Sequence, residues 1–119
     1  MSKLVRLNPE YYQYSDMAFW CPGCKCQHEI SVEKPNFSGA RWSYNGDPEK
    51  PTFSPSYHLK VNTPDMGAHY NSDASTTVCH SFVRDGQIQF LGDCTHALTG
   101  QTVDLPDFPD NEVRSSTRV

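Results

Sequence analysis

At 119 residues the chain has the length of one domain, and its formal charge of −4 leaves no basic footprint for a nucleic acid. Hydrophobic residues make up only 36% and aromatics 12%, which predicts a small aromatic core that needs bracing. No apolar run approaches the ~20 residues of a membrane span, and Met1 to Gln13 lacks the apolar stretch of a signal peptide. The expected setting is therefore the cytoplasm, with neither membrane nor nucleic acid as partner.

Residues 1–15 are polar, with Tyr11, Tyr12 and Tyr14 clustered, and read as an edge strand or packed arm. Asp16 to Trp20 reads as a short apolar strand entering the turn Cys21-Pro22-Gly23-Cys24. Gln27 to Val32 leaves that turn with His28, Ile30 and Val32 on one face. Pro35, Asn36, Ser38 and Gly39 mark a loop, followed by a short strand from Ala40 to Tyr44 and the turn signal Asn45-Gly46. Pro48, Pro51 and Pro55 punctuate the next stretch. Ser56 to Asn62 then alternates, with Tyr57, Leu59 and Val61 against Ser56, His58 and Lys60. Residues 63–76 are rich in Pro, Gly, Asn, Asp and Ser and read as a long loop.

The clearest hairpin runs from Thr77 to Phe90 and turns at Asp85-Gly86. If Arg84 pairs with Gln87, then Cys79, Ser81, Val83, Ile88 and Phe90 share one face, and His80 and Phe82 take the other. Gly92-Asp93 ends the return strand, which leaves the parity of Cys94 open. Thr95 to Leu98 has the length of one helical turn, and Gln101 to Leu105 reads as a last strand. The expected fold is all-β or β-rich: one small domain over residues 1–108, built from short antiparallel strands and hairpins with at most one or two helical turns. Residues 109–119 read as a loose tail.

Cys21 and Cys24 carry the spacing of a metal knuckle, because a Pro-Gly turn aims both sulfurs at one spot. Cys79 and Cys94 complete the expected set of four thiolates, a closed and structural zinc site. Such a site supplies about 10 kcal/mol or more of apparent binding energy to a small fold. Cys26 is the expected spare thiol, and His28 is the expected substitute should a histidine replace a cysteine. The redox reading of Cys-x-x-Cys calls for a long helix after the motif, and none is predicted.

Three other segments are dense in chemistry. Thr52-Phe53-Ser54-Pro55-Ser56 mounts two hydroxyls on a proline-stiffened turn, although such hydroxyls often satisfy only the local backbone. Cys79-His80-Ser81 offers an imidazole facing away from the thiol. Asp93-Cys94-Thr95-His96 offers a carboxylate and a second imidazole. Ser54 or Ser56, with His80 or His96 and with Asp93, is a set from which a Ser–His–Asp relay can be assembled.

Taken in order, these motifs resemble a specific family. They are Phe19-Trp20-Cys21-Pro22-Gly23-Cys24 with His28, Trp42-Ser43-Tyr44-Asn45-Gly46, Pro51-Thr52-Phe53-Ser54-Pro55-Ser56, and the run from Cys79-His80-Ser81 through Asp93-Cys94-Thr95-His96-Ala97-Leu98. The family is a small bacterial and phage one, long catalogued as of unknown function and sometimes labelled ammonia monooxygenase. The resemblance spans about residues 17–108. Its members occur in phages and in Bub operons, which encode ubiquitin-like proteins with E1-like and E2-like partners. It implies a peptidase that trims or removes a ubiquitin-like modifier with a serine nucleophile. Ser54, Ser56, His80, Asp93 and His96 fall in the matching motifs, with Ser81 a weaker candidate. Two alternatives stand beside a zinc-stabilised serine peptidase or isopeptidase. One is a non-catalytic zinc-binding module that captures a protein through Tyr11, Tyr12, Tyr14 and the 63–76 loop. The other is a zinc-dependent hydrolase with an open metal position.

Overall fold

The computed structural model describes residues 2–62 and 76–119. It is strand-rich and antiparallel, as expected. The expected loop at 63–76 lies outside the described residues except for Thr76.

Strands β1 (Leu4–Arg6), β2 (Met17–Cys21) and β3 (Cys26–Ile30) form one sheet, in which β2 and β3 are a hairpin with the Cys21–Cys24 turn at its tip. Strands β4 (Ser43–Tyr44) and β5 (Phe53–Ser54) form a two-stranded ribbon. Strands β6 (Tyr57–Asn62), β7 (Thr76–Arg84), β8 (Gln87–Phe90) and β9 (Thr102–Asp104) form a second four-stranded sheet in that order. After it come the short helix α1 (Asp110–Val113) and strand β10 (Thr117–Arg118). Among the described residues no helix is long and apolar enough to cross a membrane.

Alternation puts one face of each sheet into a common core. Leu4, Met17, Phe19, Cys21 and Ile30 from the first sheet pack with Cys79, Val83, Ile88 and Phe90 from the second, joined by Phe53 and Leu105. Aromatic rings dominate the seam: Phe19 stacks on Phe53 and meets Tyr57 and His28 edge-on. Truncating a ring such as Phe19 would cost about 3–5 kcal/mol. The hairpin register pairs Arg84 with Gln87 and Ser81 with Phe90, so Cys79, Ser81 and Val83 are buried on one face as anticipated. Asp85 and Gly86 both have positive φ, 50° and 77°, which is the backbone a tight two-residue hairpin requires.

Three expectations need correction. β1 is not an edge strand, because β10 pairs with it through Val5–Arg118 and Arg6–Thr117. For the same reason residues 109–119 are not a loose tail. The outer face of the first sheet is itself apolar, and Val5, Leu7 and Ala18 bury against Phe108 with Val113 alongside. Asn45-Gly46 does not make a two-residue turn: the chain needs residues 45–52 to cross from β4 to β5. The Asn45 side-chain carbonyl organises that crossing by accepting the Asp47 and Thr52 amides.

Candidate functional site

The β2–β3 knuckle, β7 and the segment after β8 converge on a cluster of soft donors. Cys21, Cys24, Cys79 and His96 each offer one ligand atom, and all four atoms lie within 4.8 Å of one another. Cys21 Sγ and Cys79 Sγ are 3.8 Å apart, and Cys79 Sγ is 3.6 Å from His96 Nε2. A tetrahedral ion with bonds of about 2.3 Å to sulfur and 2.0 Å to nitrogen requires edges of about 3.5–3.8 Å, which the Cys21–Cys79 and Cys79–His96 separations match. The Cys24 amide donates to Cys21 Sγ at 3.3 Å, and the Lys25 amide closes the turn on the Cys21 carbonyl at 2.8 Å. Gly23 leaves room for the imidazole, since a Cβ there would sit 2.3–2.5 Å from three atoms of the His96 ring. Phe90 meets that ring edge-on, with 4.4 Å between centroids. Sulfurs packed this closely cannot all ionise by themselves. Hydrogen bonds from Cys24 and Cys79 hold the Cys21 thiol far below its ordinary range, and Cys21 in turn pushes Cys24 and Cys79 up. A divalent cation relieves that competition by neutralising all three.

This donor set differs from the expected one at one position. Leu91 to Cys94 forms a tight turn, with the Cys94 amide bonded to the Leu91 carbonyl, and the turn breaks the strand alternation. Cys94 Sγ therefore lies against the His80 backbone, accepting its amide and approaching its carbonyl, each at 3.2 Å. His96, expected as a catalytic imidazole, takes the fourth place. His28 is 1% exposed and stacked on Tyr57, outside the four-donor cluster, and its Nε2 has no hydrogen-bond partner among the described residues. Burial disfavours its charge, but the sulfurs of Cys21, Cys26 and Cys79 outweigh that and push it up to about 12. Cys26 stays outside the cluster, as expected of the spare.

The opposite face of β7 carries a second arrangement. Ser56 Oγ is 3.1 Å from His80 Nε2, and His80 Nδ1 is 3.2 Å from Asp93 Oδ2. These are the contacts and the order of a Ser–His–Asp relay. Each member is fixed by the backbone around it. Trp42 donates its indole N–H to the Ser56 carbonyl at 3.4 Å. His80 is held by Cys94, and its carbonyl accepts the Leu91 amide. Asp93 sits in the 91–94 turn, and Thr95 anchors the far side of that turn to Val78. His80 has 26% of its side chain exposed, so the site opens to solvent.

Ser54 and Ser56 separate at Pro55. Ser54 ends β5, exposed and paired with Ser43, while Ser56 leads into β6 beside β7. Ser81 is fully buried on the core face with no partner for its hydroxyl among the described residues, pointing away from His80. Sequence reasoning missed His58. It is the cross-strand neighbour of His80, and the two rings lie 4.6 Å apart. Its place on the polar face of β6 was legible, but the register that sets it opposite His80 was not.

The family described as bacterial ubiquitination-like system serine protease (BubE) matches residues 2–91. The chain belongs to the BubE family. Comparisons with curated proteins and with solved structures give no match. The BubE match takes in Ser56 and His80. Asp93 and His96 lie just beyond its end, so their assignment stands on geometry alone.

Proposed function

We propose that the chain is a zinc-stabilised serine peptidase or isopeptidase that cleaves after the C-terminal tail of a ubiquitin-like protein. The observation that carries this reading is the Ser56–His80–Asp93 relay in a BubE family chain. Ser56 Oγ attacks the carbonyl carbon of the scissile bond while His80 Nε2 takes its proton. Asp93 holds the imidazole in the tautomer that keeps Nε2 free and stabilises the imidazolium that forms. His80 then delivers the proton to the leaving amine, which is a lysine side chain in an isopeptide, and water repeats the cycle on the acyl-enzyme. The surface groove lined by Met17, Val32, Arg41, Trp42 and Tyr44 abuts Ser56 through Trp42, and is where we place the extended tail.

Zinc is the ion we assign to the Cys21–Cys24–Cys79–His96 cluster, because three thiolates and an imidazole at tetrahedral spacing match its preference. With all four donors engaged no position remains for a catalytic water, so the ion holds the fold. Five free thiols fit a reducing compartment such as the cytoplasm.

The test compares Ser56→Ala with Ser54→Ala on a ubiquitin-like protein carrying a C-terminal extension. Ser56→Ala lowers the cleavage rate by at least about a thousandfold with zinc content unchanged, whereas Ser54→Ala stays within a few-fold. Fluorophosphonate labels the wild type at Ser56 and fails on His80→Ala. A folded, zinc-loaded wild type that neither cleaves nor labels would point instead to a binding module.

A further inference from the structure

A Ser–His–Asp relay has no need of a second imidazole packed on its base, yet His58 lies on His80. His58, His80 and Asp93 each offer a ligand atom, and those atoms lie within 4.8 Å of one another. The two rings are 4.6 Å apart and tilted by 36°, and the His80–Asp93 contact is already 3.2 Å. Two imidazoles and a carboxylate are the donor types of open, three-ligand zinc sites, which complete their tetrahedron with water. His58 and Asp93 are exposed and His80 is half-buried, so an ion reaches them directly from solution. They contain no thiolate, so they bind zinc more weakly than the Cys21–Cys24–Cys79–His96 cluster and fill after it.

We propose that His58, His80 and Asp93 form a second, regulatory Zn²⁺ site, and that its occupancy switches off the hydrolase. The binding half stands on this donor geometry, while the inhibitory half rests on the relay proposed above. Its chemistry follows from the imidazole. A neutral ring has one lone pair for the ion, and its other nitrogen then carries the proton. Whichever His80 nitrogen takes the zinc, no lone pair remains to accept the Ser56 proton. Asp93 is drawn to the ion at the same time and ceases to orient the ring. No covalent bond changes, so removing the ion restores the relay.

The experiment uses the full chain loaded with one equivalent of zinc. Equilibrium dialysis against micromolar Zn²⁺ with elemental analysis should show a second equivalent in the wild type and none in His58→Gln, while both keep the first. Cleavage of the extended ubiquitin-like substrate by the wild type should fall as the second equivalent binds and recover after brief exposure to a weak chelator. His58→Gln, normalised to its own rate at one equivalent of zinc, should need well over ~100-fold more zinc for the same inhibition, beyond the roughly 10–100-fold loss expected of an outer-shell partner. A wild type that stops at one equivalent overturns the proposal. So does a second equivalent that persists in both His58→Gln and Asp93→Asn. Second-site binding lost in those variants, in a protein with no hydrolase activity, supports the site and overturns the relay.

Discussion

Cys79 and His80 are consecutive on β7, yet they live in different solvents. Cys79 is fully buried among sulfurs at the seam of two sheets, while His80 is partly exposed among a hydroxyl, a carboxylate and another imidazole. The same pairing recurs where the chain returns beside β7: Asp93 goes to the outer arrangement and His96 to the inner one. One extended strand and one short return segment thus contribute to both centres; alternation parts Cys79 from His80 on β7, and the Leu91–Cys94 turn parts Asp93 from His96. The inner centre draws its strength from closure and the outer one from access. Damage to the first should be read in stability, and damage to the second in rate.

That contrast breaks most visibly at the metal. If the cluster holds zinc as proposed, Cys79→Ala removes a ligand from a site worth about 10 kcal/mol or more, so the variant should lose the ion and most of its far-UV and near-UV dichroism at room temperature. A Cys79→Ala protein that folds and cleaves normally without metal would mean the cluster is incidental. Asp93→Asn should leave the melting temperature and the zinc of the cysteine cluster unchanged and lower kcat by roughly a hundredfold to a thousandfold. That is less than the ~10⁴-fold of a buried triad aspartate, because Asp93 is half exposed to water. An unchanged kcat would remove Asp93 from the relay. Cys94→Ala should have the smallest effect. It loses about 1 kcal/mol of bonding to the His80 backbone and a few degrees of melting temperature, with kcat down several-fold and one zinc retained. Loss of the zinc in this variant would return Cys94 to the metal and displace His96.

The parts of this picture legible beforehand are those that period-two patterning controls. The hairpin turning at Asp85-Gly86 announces its faces, so the burial of Cys79, Ser81, Val83, Ile88 and Phe90 and the outward aim of His80 all follow from the residue order. The knuckle at Cys21–Cys24 is equally local. What the pattern cannot carry is geometry after a turn. The Leu91–Cys94 turn shifts parity, and so turns Cys94 onto the His80 backbone and brings His96 to the sulfurs in its place. Choosing between Ser54 and Ser56 depends on which sheet each joins, a long-range fact. The pairing of β10 with β1 was hidden because Phe108 and Val113 are thinly spaced apolar residues in a Pro- and Asp-rich stretch, with no periodic signal.

The unbroken pairing of β7 with both neighbours has an evolutionary corollary. Point substitutions reach one centre at a time. A single-codon insertion between Val78 and Cys79 would instead invert every side chain beyond it, sending a thiol toward water and an imidazole into the hydrocarbon seam. Length variation in this strand is therefore closed to gradual drift, and novelty must enter through its bordering loops.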